Sequence, residues 1–353
     1  MTDLLGEYLK KIRVESLVRP NIKALRAYEA KEIPCRVKLD ANESPYGFGL
    51  PASVRDIPTN RYPDPEAKSL RKTLAKELNV GPENILLGNG SDELISYLIT
   101  AFGGPVLFPV PTFSMYGIIA TALGEKSVAV PLDCSFDLDP KGMASAVKRY
   151  GPKLTFLSSP NNPTGNCFSA DRILKIIESS RGLVVVDEAY VSFSSEKGFL
   201  PLLKDYENLL ILRTLSKIGL AGLRVGYLVG GASIISEVNK VRLPFNVNSY
   251  SQAIALSALK DKKTMRKIIS AIVSERERLF KGLEAVEGVK PFPSEANFIL
   301  FGVHDSAKVY KGLLKQGVLV RDMKGVVDSC LRVTVGTKKG NDIFLKAMKE
   351  VMG

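Results

Sequence analysis

The chain has 353 residues, 45% of them hydrophobic, enough to bury a full core as one large α/β unit or as a large domain with a smaller partner. Lys and Arg outnumber Asp and Glu by 49 to 37, and the net charge of +12 draws anionic ligands; the basic residues are spread along the chain without finger spacing, RNP-like run or basic tail, which argues against nucleic acid. No stretch approaches the roughly 18 apolar residues of a membrane span, and Cys35, Cys134, Cys167 and Cys330 lie far apart with only His304 to complete a metal set, so neither a disulfide framework nor a metal site is expected.

Residues 1–45 are charged, contain Pro20 and Pro34, and read as a short helix followed by an extended arm. Met1 to Arg13 mix charges with Leu rather than building a signal-peptide core, so a soluble cytoplasmic protein is expected. Over 46–245, apolar runs at 84–87, 106–108, 127–130, 154–157, 183–186, 209–212 and 225–229 alternate with amphipathic stretches such as 69–78, 93–102, 143–150 and 173–180. That alternation predicts an α/β fold whose large domain is a mainly parallel, doubly wound sheet, with ligands at the carboxyl ends of its strands. After Arg242-Leu243-Pro244 the texture changes to a long charged helix over 261–284, a strand at 297–301, a helix at 306–316 and strands at 318–320 and 331–335. Residues 246–353 therefore read as a smaller α+β domain.

A single histidine limits the chemistry. Any Ser-His-Asp or Cys-His mechanism would have to run through His304, and no G-x-S-x-G elbow presents a serine. There is no G-x-x-x-x-G-K-[ST], and the G-x-G-x-x-A from Gly47 to Ala52 has Pro51 inside it and no strand before it. What remains is proton transfer without histidine, for which a desolvated lysine attached to an organic cofactor is the common solution.

Several predicted strands end in polar loops. The strand at 84–87 runs into Gly88-Asn89-Gly90-Ser91-Asp92-Glu93, which either presents backbone N–H groups to a phosphate or forms an ordinary Ser-capped loop. Ser159-Pro160-Asn161-Asn162-Pro163-Thr164-Gly165 follows the strand at 154–157 and is also readable as a rigid turn. The apolar run Leu183 to Val186 stops at Asp187-Glu188-Ala189-Tyr190, and a carboxylate at that edge needs a partner. Asp187 either caps a helix or pairs with a pyridinium nitrogen, keeping the ring protonated and electron-withdrawing. Leu209 to Leu212 leads into Arg213-Thr214-Leu215-Ser216-Lys217, then Gly219, Gly222 and Arg224. A lysine just past a buried strand is a Schiff-base candidate, because desolvation lowers its pKa and frees the amine; the alternative is a solvated surface lysine.

Taken together, these residues resemble the fold-type I, class II aminotransferases that depend on pyridoxal 5'-phosphate, and among them the histidinol-phosphate aminotransferase family. The likeness runs from Leu39-Asp40-Ala41-Asn42-Glu43-Ser44-Pro45 to Leu331-Arg332-Val333-Thr334-Val335-Gly336-Thr337. Asn161 to Gly165, Asp187 to Tyr190 and Thr214 to Lys217 are shared with sister aminotransferases. More discriminating are Asn60-Arg61-Tyr62-Pro63-Asp64-Pro65 and Val320-Arg321-Asp322.

The resemblance implies an aspartate-aminotransferase-like fold and a role for each site residue. Lys217 would carry the cofactor as a Schiff base and shuttle the proton, Asp187 would bind the ring nitrogen, Asn162 and Tyr190 would hold the ring hydroxyl, and Phe113 would stack on the ring. Gly90, Ser91, Ser216 and Arg224 would hold the phosphate, and Asp92 would belong to the same cofactor site. Tyr62 would reach the phosphate in the neighbouring subunit, making a homodimer with shared sites. Arg332 would clamp the α-carboxylate of glutamate next to Asn162, and Arg321 would help hold the phosphate of histidinol phosphate. The implied reaction is amino transfer between glutamate and imidazole acetol phosphate in histidine biosynthesis. An aromatic or broad-specificity aminotransferase, an O-phosphothreonine decarboxylase and a non-catalytic cofactor-binding regulator are the rival readings. Where many members carry a tyrosine after the arm proline, this chain has Pro20-Asn21, with Tyr28 nearby, and the segment between Lys217 and Arg224 is one residue shorter than the commonest form.

Overall fold

Two sheets organise the structure, a computed structural model that describes residues 13–26 and 33–353. In chain order the strands are β1 (Val37–Leu39), β2 (Ile85–Asn89), β3 (Val106–Val110), β4 (Ser127–Pro131), β5 (Leu154–Ser158), β6 (Leu183–Asp187), β7 (Leu209–Thr214), β8 (Val225–Val229), β9 (Val289–Pro291), β10 (Phe298–Val303), β11 (Val318–Asp322) and β12 (Cys330–Thr334). The larger sheet has seven strands in the order β2-β8-β7-β6-β5-β3-β4, and the smaller has five in the order β1-β11-β12-β10-β9.

Strands of the large sheet are apolar on both faces because both faces are covered. Val184, Val186, Leu209 and Ile211 enter one core, which continues into the small sheet through Phe298, Leu331 and Val333, whereas Val185, Leu210, Leu212 and Phe156 enter a second core on the opposite face. The covering helices carry the matching stripe: Ala170–Ser179 buries Ile173, Ile176 and Ile177 at i, i+3 and i+4. Burying three such side chains stabilises the packing by roughly 6 kcal/mol before conformational entropy is counted. The helix Pro140–Tyr150 starts where Asp139 accepts the Lys141 backbone N–H at 3.1 Å, with a proline at its first position.

Strand direction determines what reaches the ligand edge. β3 to β7 are parallel, while β8 runs antiparallel to both β7 and β2. β2 therefore ends at the same edge as β3 to β7, and β8 begins there. The chain passes outward from β3 to β4, then returns to β5 on the other side of β3, so the loops after β3 and β5 flank the switch point at which such sheets hold ligands. In the small sheet β1 pairs parallel with β11, and β11 pairs antiparallel with β12 so that Arg321 lies opposite Arg332. Residues paired this way project from the same face.

The expected strands and amphipathic helices of the large sheet are present, with ends moved by up to three residues. Asn84, read as the first residue of a strand, instead ends a 3-10 turn and donates its side-chain amide to Gly230 O at 2.9 Å. The three-residue strands β1 and β9 are too short to show a period, and the helix Met115–Leu123 is apolar nearly all round. Helices Ala232–Asn239, Ser249–Lys260 and Lys338–Met352 were likewise not expected from the sequence. In the opening segment the structure has helical turns at Val14–Leu17 and Pro20–Lys23; the expected helix over the first residues, like Tyr28, falls outside the described residues.

Candidate active site

The carboxyl edge of the large sheet collects the predicted residues strand by strand. β5 and β6 end in register at Ser158 and Asp187, and β7 runs on past Leu212, the residue opposite Asp187, to Thr214. Asn89 and Val225 are in register on the other side, so the loop after β2 and Arg224 before β8 meet there. Ser91, Asp92, Phe113, Asn162, Asp187, Tyr190, Ser216, Lys217 and Arg224 line one cleft, which encloses about 480 Å³ of atom-free space including its open mouth.

Asp187 lies at the floor, 3% exposed. Its Oδ2 accepts the Tyr116 hydroxyl at 2.7 Å and its Oδ1 accepts the Ala189 N–H at 3.0 Å. Burial pushes its pKa from 3.8 up to about 6, against the opposing pull of Tyr116 and Ala189. Burial also holds the Tyr116 phenol well above its ordinary range, and the Asp187 charge adds to that, so Tyr116 keeps its proton and donates it. No helix starts on Asp187, since the next turn begins at Val191, and the helix-cap reading fails. A buried carboxylate with an open side toward a cleft suits a cationic partner. Beside it, Glu188 is fully buried and accepts from Arg213 Nε at 2.8 Å and NH2 at 2.6 Å. That pair ties the end of β6 to the end of β7, and hence Asp187 to the segment carrying Lys217.

Lys217 sits half-buried in the 3-10 turn Ser216–Ile218 that follows β7, its Nζ 5.7 Å from the Tyr190 ring centre. Ser216 is fixed by Thr214, whose hydroxyl accepts the Ser216 N–H at 3.1 Å and donates to Ser216 Oγ at 2.9 Å. At the far end of the cleft the helix Ser91–Phe102 begins with Gly90 as its cap residue and no side-chain cap bond, so Ser91 is not the cap of the rival reading. Gly90 has φ +86°, and a Cβ there would lie 2.5 Å from Arg224 NH2. Only glycine lets the guanidinium approach the helix N-terminus this closely. Arg224 also pairs with Asp92 at 3.1 Å. Two hydroxyls, a guanidinium and the first N–H groups of a helix form a donor set for a dianion.

The small sheet supplies the roof. Arg332, 8% exposed, donates through NH1 to Asn162 Oδ1 and through NH2 to Asp40 O at 2.8 Å, with its guanidinium 5.1 Å from the Phe298 ring. Tyr190 packs edge-on to the same Phe298 ring at 5.1 Å. Arg321 is exposed on the face it shares with Arg332. Tyr62 lies outside this cleft, 82% exposed and stacked on Phe245 at 4.5 Å. Asn21 is also elsewhere, donating to the carbonyls of Thr121 and Ala122 at 2.8 and 3.1 Å.

Some participants had no role in the sequence reading. Tyr116 could have been suspected as a tyrosine in an apolar stretch, whose hydroxyl needs a partner when buried. Asn161, fully buried, accepts from Thr112 Oγ1 at 2.8 Å and donates to Pro111 O at 3.0 Å, joining the loops after β3 and β5. Asn42 stands in a quoted motif but carried no assignment. Its partners, Tyr190, Thr334 and Asn297, are too distant in sequence to suggest one.

From end to end, the cleft offers a dianion pocket, an amine and a buried carboxylate, with Phe113 and Ala189 between. That fits a flat, phosphorylated ring with a basic nitrogen opposite its phosphate.

Comparison with known proteins agrees with this geometry. The family described as "Aminotransferase class I and II" matches residues 30–348. A histidinol-phosphate aminotransferase of Aquifex aeolicus is 45% identical over 95% of this chain and 98% of its own length. One from Caldanaerobacter subterraneus subsp. tengcongensis is 42% identical over 96% and 99%. The crystal structure of the Sinorhizobium meliloti histidinol-phosphate aminotransferase in complex with pyridoxal-5'-phosphate superposes with a TM-score of 0.84 at 27% identity, covering 96% of this chain and 98% of that one.

Proposed function

The chain belongs to the class I and II aminotransferases, and we propose on that premise that it exchanges an amino group between glutamate and imidazole acetol phosphate, giving 2-oxoglutarate and histidinol phosphate. The cofactor is pyridoxal 5'-phosphate. The observation that carries the reading is the juxtaposition of buried Asp187, Lys217 and the Gly90–Ser91–Arg224 pocket along one sheet edge, with Arg332 facing them from the small sheet.

When bound, the cofactor supplies an electron sink for the pair left behind as the substrate Cα loses its proton. Lys217 Nζ holds it covalently between turnovers. The Lys217 amine, when free, would be the base that takes the proton from the substrate Cα and the acid that gives it back. Asp187, fixed by Tyr116 and the Ala189 N–H, keeps the ring nitrogen protonated, and that positive charge offsets the cost of burying the carboxylate. Phe113 packs on the ring, Asn162 and Tyr190 hold its oxygen, and Ser91, Ser216, Arg224 and the helix start at Gly90 hold the phosphate end, with Asp92 paired to Arg224.

Arg332 grips the substrate α-carboxylate with a planar fork, the geometry guanidinium suits. Asn162 Oδ1 accepts from NH1 as a carboxylate oxygen would. Arg321, in register on the same sheet face, holds the second anionic group of the phosphorylated substrate. Two arginines on one face favour a substrate with two anions over an aromatic one.

In this reading residues 46–245 form the large domain, 246–353 the small one, and 1–45 an arm that reaches the small sheet through β1. The enzyme is a cytoplasmic homodimer in which the exposed Tyr62 completes the phosphate pocket of the second copy. No helix among the described residues is long and apolar enough to cross a membrane, and no cluster among them could hold a metal ion.

The test is to give the purified protein glutamate with imidazole acetol phosphate, aromatic keto acids or oxaloacetate in turn, and O-phosphothreonine alone. The fastest 2-oxoglutarate release should come with imidazole acetol phosphate. Faster turnover of an aromatic acceptor, or carbon dioxide from O-phosphothreonine, would overturn the reading.

A further inference from the structure

Asn42 is 2% exposed and its backbone has φ +54°, a left-handed conformation that asparagine tolerates. Both ends of its peptide are anchored to the small sheet and its approach. Its N–H donates to Thr334 Oγ1 at 2.9 Å, and its carbonyl accepts the Asn297 side-chain amide at 3.0 Å. From that anchorage its Nδ2 crosses to the large domain and donates to Tyr190 Oη at 2.9 Å.

The direction of this bond is fixed by the rest of the network. Thr334 Oγ1 accepts the Asn42 N–H, and its own buried proton finds its acceptor in Asn42 Oδ1 at 3.3 Å. The oxygen end of the amide therefore faces Thr334 and the NH2 end faces Tyr190. Tyr190 is itself held, 5% exposed and edge-on to Phe298. Its hydroxyl hydrogen prefers the plane of the ring and so has two orientations, of which the Asn42 N–H blocks one. The other is open, and none of the described residues accepts the proton there.

We propose that Asn42 is a positioning residue that sets the polarity of Tyr190: by donating to the phenol oxygen it makes the phenol give its own proton to the ring oxygen of the cofactor. The inference rests on the cofactor reading above. A donor at the ring oxygen stabilises negative charge there, which favours loss of the proton from the nitrogen joining Lys217 to the cofactor. Removing the donor raises the pH at which that nitrogen deprotonates. Around the same nitrogen stand Asp187 with Tyr116 behind it, Asp92 and Arg224 on the phosphate side, and Arg332 over Phe298. Within this group the bond from Asn42 goes to Tyr190, so its effect should pass through that phenol. Because Asn42 is held by Thr334 and Asn297, the seating of the small sheet and the acidity of the lysine link are joined through one amide.

The experiment is a pH titration of the visible absorbance of the holoprotein. Asn42→Gly removes the amide without straining a positive φ, and Asn42→Asp keeps the shape but replaces the donor with an acceptor. Asn42→Gly should raise the midpoint by about 1 pH unit, in the same direction as Tyr190→Phe, and Asn42→Asp should raise it at least as far. In a Tyr190→Phe background Asn42→Gly should add nothing, since both act on one bond. A midpoint unmoved by both Asn42 variants, or an equal shift with and without the phenol, would overturn the inference. Wild-type protein that takes up no visible chromophore at Lys217 would instead sink the cofactor reading, and this inference with it.

Discussion

The carboxyl edge of the large sheet and the seam where the small sheet meets it are built on opposite principles. At the edge, Asp187 ends its strand, Lys217 lies three residues past Thr214, and Ser91 lies two past Asn89. At the seam, Arg276, Asn42 and Arg332 bond to partners 83, 148 and 170 residues away. The edge supplies reactive groups from single strands, and the seam fixes how the two sheets sit. Loss of an edge residue should therefore fall mainly on turnover, and loss of a seam residue that touches no ligand, such as Arg276, mainly on stability.

Lys217→Ala is the strongest test of the edge. Losing the amine should cost at least about 10⁴-fold in turnover and abolish the visible band of the lysine-bound cofactor. It should leave the melting temperature of the cofactor-free protein almost unchanged, since the half-buried amine lies in no ion pair within 4 Å among the described residues. Single-turnover kinetics and a thermal melt measure both. A large loss of stability would place Lys217 among the structural residues instead.

Arg276→Ala should do the reverse. Arg276, 5% exposed on the helix Lys262–Glu284, donates to Phe193 O at 3.0 Å and Ala296 O at 3.3 Å, joining the loop after β6 to the approach of β10. Truncation leaves buried carbonyls without a donor and should cost about 4 kcal/mol. A urea titration would read that loss, with kcat of the folded fraction changed far less.

Asp187 breaks the division, because it is an edge residue whose burial costs stability when the cleft holds no cation. Its folded pKa of about 6 lies above the ordinary 3.8, so the folded state binds the proton more tightly than the unfolded state. Its favourable contribution is complete below 3.8 and is lost as pH rises through about 6. Asn has no proton to lose. Between pH 4 and 7 the cofactor-free wild type should lose roughly 2 kcal/mol relative to Asp187→Asn, measured by denaturant unfolding at each pH. Saturation with cofactor should reverse the sign, since the ring nitrogen then meets a carboxylate in the wild type alone.

The same contrast explains what was legible in the sequence. An apolar run that stops at a polar residue is a local pattern, so Asp187, Lys217 and Ser91 could be placed at an edge before any coordinates. Strand direction is not local: Arg224 reaches that edge only because β8 enters it antiparallel, and alternating apolar runs look alike in either direction. Nor is the Tyr116 bond to Asp187, which spans 71 residues. Asn42, Asn297 and Arg276 are polar residues buried by distant partners, and each alone reads as an ordinary loop or helix position. The resemblance to a family supplied Arg332 and Arg321, but not their register across β11 and β12, which is what makes them one two-anion surface.

Asn21 gives the smallest and most discriminating prediction. It stands where many relatives of this kind carry a tyrosine, yet its side chain caps the helix Met115–Leu123 through the carbonyls of Thr121 and Ala122, with Arg19 reaching Leu123 O at 3.4 Å. That helix carries Tyr116, so the arm braces the element that orients Asp187 rather than the substrate. Asn21→Ala removes hydrogen bonds at a partly buried site and should cost about 1 kcal/mol, with KM for either substrate unchanged within about twofold. A tenfold rise in KM for the phosphorylated substrate alone would mean that the arm reaches the cleft during turnover. The boundary between edge and seam would then have to include the amino-terminal segment.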